Sequence, residues 1–149
     1  MRYFSDMMSA ERSPIVANGD PADGWHTLEL VDADPDTGKV RRWTRSVLSN
    51  LHEDDLLDVL MVVTELVSNV YDHARLPARL KLRRSGAPCA VDIVSEDASS
   101  VPPQLRPSTP GSVRGRGLIM VDQLSKQWGV ARRAVGKCVW AVVPCPATP

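Results

Sequence analysis

Residues 65–74, ELVSNVYDHA, end the stretch of sequence that decides the fold. From Glu53 to about His73, apolar residues recur every three or four positions, which predicts one long amphipathic helix. Acidic residues open this stretch, as suits the positive end of a helix dipole, and Pro77 lies just beyond its end. The predicted apolar stripe consists of Leu56, Leu60, Val63, Val67 and Val70.

A polar edge runs along the other side of this predicted helix. At about 100° per residue, Glu65, Asn69 and Asp72 fall within roughly 60° of one another. A carboxylate and a carboxamide one turn apart offer oxygen ligands to Mg²⁺ and a base for a hydroxyl group. The alternative is an ordinary solvated helix face. His73, at the helix end, is interpreted as a residue near this edge that the helix dipole stabilises.

The pattern outward from this helix predicts a domain of alternating strands and helices. A preceding helix is expected to open at Pro35, with Asp34 as its candidate N-cap, and to run through residues 40–51. A later helix is expected from Leu118 to Gln127. Strands are predicted at residues 25–31, 78–84, 90–95, 128–133 and 137–143.

An acidic residue closes one of these strands. In AVDIVSED, Val91, Ile93 and Ser95 share one side of the strand, and Asp97 continues that side. This alternation predicts a carboxylate that points away from the sheet face into the space beside it. The alternative is an aspartate that only starts the following loop, as an Asx-turn residue does.

The segment that follows Asp97 is unusual in length and composition. Residues 98–117, ASSVPPQLRPSTPGSVRGRG, contain four prolines and three glycines, and loops this long are usually lids, binding loops or disordered. The segment ends in Gly115-Arg116-Gly117 before Leu118. Glycines let a backbone approach a ligand, and a helix N-terminus offers N–H groups to phosphate, although a lone G-x-G is weak evidence.

Composition limits the classes of function. The 149 residues carry 18 Lys/Arg and 18 Asp/Glu, a balance that argues against a dedicated nucleic-acid or anionic-membrane protein. No apolar run approaches the ~18 residues of a transmembrane span, and the N-terminus does not resemble a signal peptide. Three cysteines without C-x-x-C spacing predict reduced thiols in a cytoplasmic protein.

Taken in order, these motifs resemble the ATP-binding domain of the GHKL (Bergerat-fold) ATPases, and most closely the actinobacterial anti-sigma-factor serine/threonine kinases. ELVSNVYDHA looks like the N box of that family, EDAS like its adenine-binding acid box, and RGRGLIMVDQLSKQWGV like its glycine box with the following helix. The resemblance covers residues 25–145. It implies a two-layer α/β sandwich, in which helices cover one face of a mixed, mostly antiparallel sheet.

The resemblance also implies a role for each matching residue. Asn69 would hold Mg²⁺, Glu65 would orient or deprotonate the attacking hydroxyl, and Asp97 would accept a hydrogen bond from the adenine amino group of ATP. The family pattern Asp-x-Gly-x-Gly is here Asp97-Ala98-Ser99, which puts catalytic strength in doubt. The remaining nucleotide-binding positions implied by the resemblance are Asp72, His73, Ser99, Gly115, Arg116, Gly117 and Leu118.

The implied function is an ATP-binding anti-sigma factor that phosphorylates a serine of a STAS-domain anti-anti-sigma protein. A sigma factor is the other implied partner, and a homodimer is possible within the family. Alternatives are a nucleotide-binding regulator that sequesters its partner without kinase activity, and an ATP hydrolase or sensor-kinase fragment. The expected organisation is a flexible tail at residues 1–23, an ATP-binding domain at 24–145 with a lid loop at 98–114, and a C-terminal tail at 146–149.

Overall fold

The computed structural model describes residues 24–73, 76–98, 113–132 and 136–149, with the backbone alone at residues 73 and 113–117. These residues form five strands and three helices. In chain order they are β1 (His26–Leu30), α1 (Thr37–Val47), α2 (Glu53–His73), β2 (Ala78–Gly86), β3 (Cys89–Asp97), α3 (Val113–Leu124), β4 (Gln127–Arg132) and β5 (Lys137–Pro144).

The five strands form a single sheet in the order β1-β2-β3-β5-β4, and every described pairing is antiparallel. Helix α2 contacts β3 and β5, and α3 contacts β4 and β5. Because successive side chains of a strand point to opposite faces, one face of the sheet meets the helices and the other does not. The predicted two-layer α/β sandwich is confirmed.

The main core lies between the sheet and the helices. It contains Leu80 of β2, Ile93 of β3 and Ala141 of β5, all fully buried, together with the apolar stripe of α2. The opposite face carries a smaller cluster of buried residues that includes Trp25 and Trp140.

Helix α2 has the predicted bounds and the predicted stripe. All five stripe residues are buried, and three further residues, Val59, Val62 and Leu66, are buried beside them. The buried arc is wider than the predicted one because α2 packs against α1, α3 and the sheet at once. Among the described residues, no helix is long and apolar enough to cross a membrane.

The predicted bounds of the first helix are wrong at both ends. Asp36, not Asp34, is the N-cap, because its side chain accepts a hydrogen bond from the backbone N–H of Lys39 at 2.9 Å. This is the spacing by which a cap satisfies an N–H of the first turn. The helix ends at Val47, and Leu51 is buried in the connection to α2.

The prediction of reduced cysteines is also wrong for two of the three. Cys89 and Cys145 form a disulfide that joins the start of β3 to the residue after β5. The two strands are neighbours in the sheet, and the backbone N–H of Cys145 donates to the carbonyl of Cys89 at 3.0 Å. Strand pairing therefore brings together two residues that are 56 positions apart in the sequence.

The residues after this disulfide, predicted as a C-terminal tail, contact the N-terminal end of α2. The buried carboxylate of Asp55 accepts hydrogen bonds from the Thr148 hydroxyl at 2.6 Å and from the Ala147 N–H at 3.3 Å. The Thr148 hydroxyl oxygen in turn accepts from the His52 N–H at 3.0 Å. These bonds hold the segment against the helix.

Candidate functional site

The candidate site lies where β3 ends and β5 begins, next to the C-terminal half of α2. A cavity of about 10 Å³ separates the helix from the two strands there. Its polar lining consists of Asn69, Ser95, Asp97 and Lys137, and apolar side chains of α2 and β5 complete the wall. The structure thus brings together two of the predicted site residues, Asn69 and Asp97.

Asn69 directs a polar group into this buried place. Its Nδ2 atom is inaccessible to solvent, and no hydrogen-bond partner reaches it among the described residues. A buried amide group is almost always hydrogen-bonded in a folded protein, to the protein or to a bound molecule. Because Nδ2 is a donor, Asn69 is suited to bind an acceptor group of a bound molecule there.

The other predicted residues of the polar edge lie on adjacent turns of α2. Glu65, one turn before Asn69, is half-buried, and Asp72 is exposed near the helix end. Both side chains have interactions within the structure. The described residues hold no group of three or more His, Cys, Asp or Glu arranged for a metal ion. A magnesium ion at Asn69 would consequently depend on ligands from a phosphate group or water, which is its usual habit in proteins.

Asp97 has the predicted orientation and an unpredicted partner. It lies on the buried side of β3 with Val91, Ile93 and Ser95, and is 7% exposed. Its two carboxylate oxygens lie 3.1 and 3.2 Å from the ammonium nitrogen of Lys137, its register partner in β5.

Gly136 allows this approach of the two strands. Its φ is +87°, which favours glycine, and a Cβ at this position would overlap the carbonyl oxygen of Asp97. The residue that follows, Lys137, therefore begins β5 directly opposite Asp97. The sequence contained a signal for this pair, since Lys137 shares the period of the buried residues Val139, Ala141 and Val143.

The predicted start of the last helix is wrong. Helix α3 begins at Val113, so Gly115, Arg116 and Gly117 lie within it rather than before it, and it ends at Leu124. The two glycines therefore do not mark the start of the helix. They lie near its N-terminal end, where the first N–H groups lack intrahelical partners. Gln127, predicted as helical, begins β4, and Leu118 is buried in the core.

Several predicted features lie outside the described residues. They are the flexible tail at residues 1–23, Ser99, most of the lid loop at 98–114, and the side chains of His73 and Arg116.

A second, larger cavity of about 220 Å³ opens beside Asp97 on the β1–β2 side. Its charged lining consists of Glu29, Arg79, Glu96 and Asp97. Glu29 pairs with Arg79 at 2.9 Å, and the carboxylate of Glu96 lies 2.6 Å from the ammonium group of Lys81. Each of the three carboxylates therefore lies against a cation, since Asp97 pairs with Lys137.

The family assignment follows from comparison with known proteins. The model of the histidine kinase-like ATPase domain matches residues 31–143. The chain belongs to the histidine kinase-like ATPase family. The matched residues include those that line the site on α2, β3 and β5. No curated protein matches the sequence.

Two similar solved structures come from Erythrobacter litoralis EL346. One is the histidine kinase domain of its blue-light activated histidine kinase, with 17% identity and a TM-score of 0.49, covering 75% of this chain and 60% of that one. The other, the blue-light activated histidine kinase itself, has the same identity and TM-score, covering 72% and 40%. The chain thus spans less than two thirds of the length of each.

Membership of the histidine kinase-like ATPase family implies ATP binding, with Mg²⁺ as the usual companion of the nucleotide. The described residues fit these groups in part. Asn69 presents a buried amide without a partner among the described residues, which fits a polar ligand. The carboxylate that would take adenine is ion-paired instead, and a cavity of about 10 Å³ has room for roughly one water molecule. Adenine does not fit this space as the structure has it.

Proposed function

We propose that this ATPase-family chain is an ATP-binding anti-sigma factor and a protein serine/threonine kinase, whose acceptor is a serine of a STAS-domain anti-anti-sigma protein. The observation that carries the proposal is the position of Asn69, one turn from Glu65 and with a buried amide at the cavity shared with Asp97. Family membership supports the ATP-binding part of the proposal. The partner rests on the resemblance of the sequence motifs.

Residues of α2 have separate roles in this proposal. Asn69 binds Mg²⁺ through its carboxamide oxygen, and the metal supplies charge neutralisation at the phosphates. Glu65 orients the serine hydroxyl of the partner and accepts its proton. Asp72 and the glycines of α3 line the phosphate end, where helical N–H groups favour anions. A sigma factor is the partner that competes with the STAS-domain protein. The proposed complex contains a second copy of the chain, and its proposed location is the cytoplasm.

A second candidate function is favoured by the ion pair of Asp97. A chain whose base-binding carboxylate is held by Lys137 is suited to regulate by sequestering its partner, with nucleotide bound weakly and no phosphoryl transfer. The sequence Asp97-Ala98-Ser99, without the glycines of the family pattern, favours the same reading.

The experiment that separates these functions is phosphoryl transfer to candidate partners. The chain is incubated with γ-labelled Mg·ATP and purified STAS-domain proteins, and phosphoserine is located by mass spectrometry. Transfer by the unmodified chain, lost in Glu65→Gln and kept in Met61→Ala, supports the kinase. Met61 is an exposed residue one turn before Glu65 and serves as the matched control. Binding of ATP without any transfer supports the regulator.

A further inference from the structure

The pair formed by Asp97 and Lys137 is built into the ends of two strands. The two residues are register partners, their side chains are 1% and 4% exposed, and the ammonium lies almost equally close to both carboxylate oxygens. A surface ion pair would exchange readily with water, whereas this one is enclosed by α2 and the sheet. The pair is therefore shielded from water in the described state.

The space beside this pair is too small for a nucleotide base. The cavity of about 10 Å³ has room for roughly one water molecule, and a purine has ten or so heavy atoms. A base can enter only if a lining side chain moves. The apolar part of the lining, Leu66, Val70 and Val139, belongs to the packed core, whereas Lys137 is a long flexible side chain on the first residue of its strand.

The chemistry of the pair also opposes adenine. An adenine amino group is a neutral N–H donor, so it competes with the Lys137 ammonium for the carboxylate of Asp97. A charged donor forms the stronger hydrogen bond of the two. Adenine must therefore displace the ammonium group or bind without using this carboxylate fully.

We propose that Lys137 controls the entry of the base at the nucleotide site. Its ammonium group occupies the acceptor atoms of Asp97 and fills the base pocket, and nucleotide binding requires its withdrawal. This inference rests on the proposed ATP site. It identifies Lys137 as the residue that limits the affinity of that site for adenine nucleotides. Lys137 acts on the part of the ligand that contains the base and leaves the phosphate end unaffected.

The test is a calorimetric comparison of three forms of the chain. Lys137→Thr removes the cation, keeps a short β-branched residue that suits a strand, and leaves a hydroxyl that can donate to Asp97. Lys126→Thr removes an exposed lysine next to β4 and is the matched control. We expect Lys137→Thr to bind Mg·ATP at least tenfold more tightly than the unmodified chain, and Lys126→Thr to bind it equally. Magnesium tripolyphosphate, which has no base, should bind all three forms alike.

The outcomes distinguish this inference from the proposed function. Equal or weaker binding of Mg·ATP by Lys137→Thr overturns the role of Lys137 while ATP binding by the chain stands. The absence of ATP binding in all three forms overturns both. Tighter binding of tripolyphosphate as well as ATP to Lys137→Thr also overturns the inference, because the gain would then lie at the phosphate end.

A second measurement uses the unmodified chain and does not depend on the folding of Lys137→Thr. Reductive methylation with formaldehyde labels accessible lysines, and its extent at each site is read by mass spectrometry. We expect Lys137 to be protected without nucleotide and its labelling to rise severalfold with saturating Mg·ATP, while Lys126 is labelled equally in both states. Protection of Lys137 that persists when ATP is bound would overturn the proposal.

Discussion

Removing one member of the buried pair should cost far more stability than removing both. At 3.1 Å the Coulomb attraction between Asp97 and Lys137 is about 5 kcal/mol at an effective dielectric constant of about 20. Burial of each charge opposes that gain, so the net value of the pair is small, but a lone partner keeps its desolvation cost. Asp97→Val or Lys137→Met alone is therefore expected to lower the free energy of unfolding by about 3–5 kcal/mol.

The double variant Asp97→Val/Lys137→Met should lie within about 1 kcal/mol of the unmodified chain, or above it. The coupling energy from the double-mutant cycle, measured by urea unfolding, is then at least about 5 kcal/mol. The cycle isolates the pair from the other contacts of Asp97, because those are lost equally with and without Lys137. Additive losses, with a coupling energy below about 1 kcal/mol, would refute the argument that the two charges depend on each other.

Three further predictions concern stability away from the site. Asp55→Ala should lower the free energy of unfolding by about 3 kcal/mol, because it removes a buried charged acceptor of the C-terminal segment. The exposed Asp54→Ala should cost under about 0.5 kcal/mol, and equal costs in urea unfolding would contradict the stabilising role of the Asp55 hydrogen bonds. Burial raises the pKa of Asp58, and the nearby carboxylates of Asp55 and Asp54 add to the shift, so the ionised form of Asp58 weakens the fold. Asp58→Asn should therefore stabilise the chain at pH 7, by under about 0.5 kcal/mol because solvent screens this part-exposed group, and in thermal melts the gain should shrink as the pH falls through the raised pKa and be absent below the ordinary pKa of an aspartate. Cys145→Ser opens the disulfide to Cys89 across a separation of 56 residues and should cost about 4 kcal/mol by chain entropy; a reductant should lower the melting temperature of the unmodified chain and leave that of the variant unchanged.

The sequence predicted most about the elements whose pattern is long and regular. The periodicity from Glu53 to His73 gave α2 with the observed bounds, because its buried residues recur over 21 positions. The alternation up to Asp97 gave the buried orientation of its carboxylate. Signals of one or two residues were weaker: Asp34 and Asp36 are both plausible caps, and only the hydrogen bond to Lys39 distinguishes them.

The contacts that sequence reasoning missed are those made by strand pairing. The partner of Asp97 lies 40 residues away, and the partner of Cys89 lies 56 residues away, so no local pattern joins either pair. Both pairs depend on the adjacency of β3 and β5 in the sheet. Locating the strands in the sequence does not show which strands are neighbours. The inward period of Lys137 was the available sign, because a lysine on a buried strand face requires an anionic partner.

The most direct test of the account is a calorimetric titration of Mg·ATP into the unmodified chain and into Asn69→Ala. The account predicts saturable binding to the unmodified chain and no detectable binding to the variant, because Asn69 supplies the protein ligand to the metal and is only part-buried, so the fold should survive its loss. A circular-dichroism spectrum and an unfolding midpoint equal to those of the unmodified chain confirm that fold. Equal affinity of the two forms for Mg·ATP, or no binding by the unmodified chain, would contradict the account.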